Sequence, residues 1–139
     1  MTKAKLVLTI GVVLVVALLA GWVWGTVGRS ETARALQASE LRGDLLGTRA
    51  AVLDARVAIY SVNFGEASSH LEGARGLLGR AQDRLTALGR KDDVRRAETA
   101  LTAIDDAQRM TGKLDQGANA RAGDAAKILA EVLDSEAKP

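Results

Sequence analysis

Hydrophobic and polar positions alternate with a helical period along most of this chain, and the long exception is Leu6–Trp24. It reads LVLTIGVVLVVALLAGWVW, nineteen residues without a charge and with Thr9 as the only hydroxyl. At about 1.5 Å of rise per residue this is roughly 28 Å of helix, close to the ~30 Å hydrocarbon layer of a bilayer. Twelve of the residues from Leu6 to Val23 are Leu, Ile or Val, worth together roughly −4 to −7 kcal/mol on an insertion scale. The pattern predicts a transmembrane helix. Lys3 and Lys5 on one side and Trp22 and Trp24 on the other fit the two membrane interfaces. A cleaved signal peptide is the competing reading, but its apolar region is usually about 7–15 residues long. The nearest cleavage site, Val23-Trp24-Gly25, also carries an indole between its two small-residue positions. The basic amino-terminal flank favours the amino terminus on the cytoplasmic side, with the rest of the chain periplasmic or extracellular.

Beyond the anchor the period predicts three or four further helices. Ser30 offers a cap for a new one, although nothing forces a break there. From about Glu31 to Val62 two apolar stripes run side by side. One is Leu41, Leu45, Thr48, Val52, Ala55, Ile59 and Val62; the other is Leu46, Ala50, Leu53, Val57, Tyr60 and Phe64. Together they predict one wide core-facing surface, with Arg42, Arg49 and Arg56 on the wet side. Asn63-Phe64-Gly65 reads as a corner. Ala67, Leu71, Ala74, Leu78, Ala81, Leu85 and Leu88 then form a regular seven-residue repeat, the spacing of a coiled coil, interrupted on other faces by Gly73, Gly76 and Gly79. Gly89 closes this helix, Asp92 or Asp93 caps the next, and Gly117 ends it. Its buried positions are expected at Val94, Ala97, Leu101, Ile104, Ala107, Met110 and Leu114. A last helix, about Asn119–Leu133, presents Ala122, Ala125, Leu129 and Val132, and the tail from Ser135 frays.

Charge and composition narrow the function more than they name it. The formal charge is +2, and setting aside Lys3 and Lys5 leaves 17 side chains of each sign. A balanced domain lacks the basic face that nucleic acid requires. There is no cysteine, which excludes disulfides, thiolate nucleophiles and thiolate metal ligands. Tyr60 and Phe64 are the only aromatics past the anchor and Pro139 the only proline, so strands are not expected.

Candidate chemistry is sparse. His70 is the only histidine, one turn from Glu66, but a carboxylate di-metal bundle needs a Glu-x-x-His motif on each of two helices. Ser68, Ser69 and His70 are consecutive, and consecutive helical residues do not face one another. Asp92-Asp93 and Asp105-Asp106 read as caps and solvated surface. No glycine pattern matches a phosphate loop. We assign no catalytic residue, no metal ligand and no cofactor. Within the anchor, Ala17, Gly21 and Gly25 form a small-residue ridge suited to packing against another membrane helix.

The stretch Asn63–Ala74 resembles the second helix of a tetratricopeptide repeat, with Ala67, Leu71 and Ala74 at that family's small, large and small positions. In the same register Ala51, Asp54, Ala55 and Ala58 depart from the family's first-helix pattern, and Gly79 replaces its closing proline. The resemblance implies helical hairpins that bind a peptide or a partner protein.

The expected fold is all-α: a membrane anchor over 1–28, a stalk or helix extension over 29–40, and a small antiparallel helical bundle over 41–136. The expected function is non-enzymatic, a scaffold or accessory subunit that meets a protein partner or itself through the membrane helix and the bundle. A ligand-sensing bundle acting through a membrane partner, and a metal- or haem-binding bundle using His70 and Met110, are the alternatives.

Overall fold

The computed structural model describes the backbone of residues 3–137 and the side chains of residues 31–137. Four helices account for it: α1 (Lys3–Tyr60), α2 (Phe64–Ala87), α3 (Lys91–Thr111) and α4 (Ala118–Glu136), with no break at Ser30 and no strand among the described residues. The chain divides into two compact units, Met1–Ala38 and Ser39–Pro139. In the first, residues 31–38 are all exposed. The second is a small helical bundle.

Cross-links between side chains show that the bundle is antiparallel throughout. Asp44 of α1 meets Arg80 and Arg84 of α2; Ser68 and Arg75 of α2 meet Gln108 and Asp105 of α3; Asp93 near the start of α3 meets Ser135 near the end of α4. The ring closes where Arg42 and Arg56 of α1 meet Glu136 and Asn119 of α4. Six of the seven α2 repeat positions enter the core, whereas Leu88 lies past the helix end and is exposed. Ala67, Leu71, Ala74, Leu78, Ala81 and Leu85 are fully buried, against Leu41, Leu45, Val52 and Ile59 of α1. On α3 the period is right and the face is rotated. Ala97, Ala100, Ala103, Ile104 and Ala107 are buried, whereas Val94 and Leu101 are only half-buried and Leu114 is exposed. All four expected positions of α4 are buried.

Three helix ends share one mechanism. Asn63 N–H donates to the Ala58 carbonyl, Arg90 N–H to Leu85 and Asp115 N–H to Met110, each a six-to-one bond across a residue with positive φ. That residue is Gly89 in one case but Val62 (φ 61°) and Leu114 (φ 57°) in the others. Leu114 therefore closes α3 at Thr111, and Gly117 precedes α4 instead of ending α3. The first corner likewise lies earlier than expected, at Ser61–Asn63. The Asn63 side chain caps α2 by accepting from the Glu66 N–H at 3.3 Å, while its amide donates to the Glu66 carboxylate at 2.7 Å. No side-chain hydrogen bond caps α3, where Asp92 or Asp93 was expected to. The carboxyl-terminal segment does not fray at Ser135, because Ser135 and Glu136 are both tied to other helices.

Two stability changes follow. Leu78 is fully buried in the main core, so Leu78→Ala should cost about 2–5 kcal/mol in denaturant titration. Val62 is a β-branched residue in a left-handed conformation and is 64% exposed. Val62→Gly should therefore raise stability by about 0.5–1 kcal/mol, the relieved strain less the entropy of glycine. A loss of stability on Val62→Gly would show that the side chain is held by packing.

Candidate interaction surface

Most of the second apolar stripe, carried by α1, stays outside the core; the exceptions are Phe64, which begins α2 and is buried, and Leu53, which packs against the core from its edge. Leu46 (46%), Val57 (66%) and Tyr60 (83%) are largely exposed, Ala50 is exposed and Leu53 is half-buried. At 100° per residue the centre of this stripe lies about 125° around the helix from Leu41, Leu45, Val52 and Ile59. One core cannot take both. The stripes step by three and four alike, which is why periodicity alone merged them into one wide face.

Its borders are not as expected either. Arg42 and Arg56 reach residues of α4, and the three arginines Arg42, Arg49 and Arg56 are not uniformly wet. Arg56 Nε donates to Asn119 Oδ1 at 3.0 Å, and Asn119 Nδ2 returns a bond to the Arg56 carbonyl at 3.1 Å. Arg49 is half-buried, and its buried Nε has no hydrogen-bond partner. On the opposite border stands Asp54, exposed. Neither Arg49 nor Asp54 has an ion-pair partner among the described residues. Stripe residues 43–61 thus present one carboxylate and otherwise apolar or small groups to solvent. A second apolar area lies at one end of the bundle, where Val62 and Leu114 (68% exposed) cap the α1–α2 and α3–α4 turns.

The charged clusters elsewhere act as latches. The Asp44 carboxylate, 9% exposed, accepts from Arg84 Nε at 3.0 Å and from Arg80 Nε at 3.3 Å, while Glu40 takes a second nitrogen of Arg84. The hydrogen bond to Asp44 raises the Arg84 guanidinium pKa further above its ordinary value. Asp93 is buried and sits among Arg90, Arg96 and Ser135. The Ser135 hydroxyl lies 2.7 Å from Asp93 Oδ1 and also 2.7 Å from the Val132 carbonyl, so its single proton serves one at a time. Burial pushes the Asp93 carboxyl pKa up. The Ser135 hydroxyl and the Arg90 and Arg96 guanidiniums outweigh burial and hold it below the ordinary value. Sequence reading missed both latches, since a lone Asp among helical charges looks like solvated surface. Asp92, paired with Arg95, and Asp106, paired with Arg109, do occupy the surface.

No candidate chemistry assembles. His70 Nε2 lies 3.7 Å from a Glu66 carboxylate oxygen at the surface, and Ser68 Oγ accepts from Gln108 Nε2 at 2.7 Å instead of meeting His70. Met110 packs against a separate small cluster of Ala58, Ile59, Phe64, Ala67 and Ala118. Among the described residues no group of three or more acidic, histidine or cysteine side chains is placed to hold a metal. An open groove of about 760 Å³ between α3 and α4 is rimmed by Arg95, Glu98, Asp106, Arg121, Asp124 and Lys127. It mixes both signs and lacks the enclosed apolar lining of a small-ligand pocket. The residues expected in a membrane anchor, Lys3, Lys5, Ala17, Gly21, Trp22, Trp24 and Gly25, lie outside the residues whose side chains are described. Among those that are described, no helix is long and apolar enough to cross a membrane.

The Asp93 latch has a pH signature. Its folded pKa is below the value of 3.8 that an unperturbed side chain has, so its stabilisation is complete above that value and is lost as pH falls through the folded pKa. Asp93→Asn should cost about 1–3 kcal/mol at neutral pH, and the two proteins should converge in acid melts. A difference that persists unchanged into strong acid would remove the carboxylate from the account.

No protein-family model matches this chain, and no curated protein and no solved structure matches it either.

Proposed function

We propose that the chain is a single-pass, membrane-anchored helical interaction module, with its amino terminus cytoplasmic and its bundle periplasmic or extracellular. It works by docking and not by catalysis. The observation that carries the docking half is the outer stripe of α1, where Leu46, Ala50, Val57 and Tyr60 stand exposed on a helix whose other apolar face already fills the core. A water-facing helix surface normally carries charges, and an apolar stripe on it marks a place for a partner. The membrane half rests on the nineteen uncharged residues Leu6–Trp24 behind Lys3 and Lys5. The ridge Ala17, Gly21, Gly25 adds a possible packing edge inside the bilayer. The hairpin geometry implied by the tetratricopeptide resemblance fits the same docking role.

Fractionation of cells producing the full chain tests this reading. The protein should stay in the membrane pellet through alkaline carbonate, and protease applied outside intact inner membranes should degrade the bundle while sparing a tag placed before Lys3. Recovery of a soluble form starting near Thr26 would overturn the anchor. Within the anchor, Gly21→Ile should lower lateral association in bilayers and Leu18→Ile should not.

A further inference from the structure

The stripe on α1 has a spacing and a charge border that select one kind of partner. Leu46, Ala50, Leu53, Val57 and Tyr60 step by four, three, four and three. This 3.5-residue average is the seam of two helices wound around each other, because a straight 3.6-residue helix keeps such a seam facing a partner only by supercoiling. Ala50 and Val57 then take the first apolar position of the heptad, and Leu46, Leu53 and Tyr60 the second. The flanking positions follow. Arg42, Arg49 and Arg56 precede the first position and form one border, and Asp54 follows the second position on the other.

We propose that the occupant of this stripe is a second copy of the chain, aligned parallel and in register; this rests on reading the stripe as a docking surface. Charge decides the partner and its direction. In a parallel pair, each residue before the first apolar position lies beside the partner's residue five places further on. Arg49 therefore meets Asp54 of the other copy, and Asp54 meets its Arg49, two symmetric pairs from one register. Of the charges flanking the seam, Arg49, Arg56 and Asp54 have no ion-pair partner among the described residues, and Arg56 is already hydrogen-bonded to Asn119, which leaves Arg49 and Asp54. The contact gives the half-buried Arg49 an anion to face, where the single chain leaves its Nε unbonded. An antiparallel pair would instead lay the Arg42–Arg49–Arg56 border against itself. Ala50, midway along the stripe, lets the two backbones approach, and Tyr60, 83% exposed, covers the seam at its end.

The chain contains no cysteine, so single introduced thiols report position cleanly. Full-length Ala50→Cys and Val57→Cys, reconstituted in lipid vesicles or kept in whichever fraction the chain occupies, are oxidised or treated with a short bis-maleimide. Glu72→Cys on α2 and Thr99→Cys on α3, both exposed, are the references. The two α1 positions should cross-link several-fold more than the references. Adding Asp54→Arg to Val57→Cys should lower the yield, and adding Arg49→Asp to that variant should restore it. Equal yields at all four positions would overturn the proposal, as would cross-linking at Ala50 without Val57, which signals an antiparallel crossing. If the chain resists carbonate but the α1 thiols stay at reference yield, self-pairing fails while anchoring stands. If the α1 thiols cross-link in a soluble chain, the anchor fails while self-pairing stands.

Discussion

The buried faces of α3 and α4 are lined mainly by alanine, and that thinness sets the construction of the whole bundle. Ala97, Ala100, Ala103 and Ala107 on one helix, and Ala118, Ala122, Ala125 and Ala126 on the other, bring little volume to the core. Helices lined this way can approach closely, and larger side chains from elsewhere must fill what remains. They come from α1 and α2: Leu41, Leu45 and Ile59, with Leu71, Leu78 and Leu85, each fully buried or nearly so. The inner stripe of α1 is thus committed to the core, and none of the described residues covers most of its outer stripe.

Close packing of alanine faces fixes distance better than register, because small side chains slide past one another at low cost. Register comes from the polar latches. Asp44 holds two arginines of α2 one turn apart, Asp93 and Ser135 tie α3 to α4, and the reciprocal Arg56–Asn119 bonds tie α4 to α1. Each joins residues many turns apart in sequence, and each uses a charged or amide group that gains from partial burial because its partner is present. At Gly47 of α1 an added Cβ would stand 3.3 Å from the Leu77 side chain of α2.

Much of this fold is legible in the sequence. The repeat from Ala67 to Leu85 and the four positions on α4 define buried faces without ambiguity, and Gly89 marks a helix end because it supplies a positive φ at little cost. Val62 and Leu114 do the same job as Gly89 against their own preference, so the α1 and α3 ends were misplaced by sequence. The two α1 stripes share a period, and only the volume available inside the bundle decides which one is buried. Arg56 and Asp93 were read as surface because their partners, Asn119 and Ser135, lie 63 and 42 residues away. Charge pairing at that range leaves no local pattern.

The bundle that results has one helix with two apolar faces, one in its own core and one exposed to solvent. Tyr60 reports on the second face directly, since it is 83% exposed in the single chain and stands at the end of the stripe. Hydroxyl-radical footprinting of the full protein at rising protein-to-lipid ratio measures that exposure, with Leu88 and Leu114, exposed but off the stripe, as internal references. The account predicts that Tyr60 oxidation falls as copies crowd together while Leu88 and Leu114 stay constant. Tyr60 oxidation that is independent of density would contradict it.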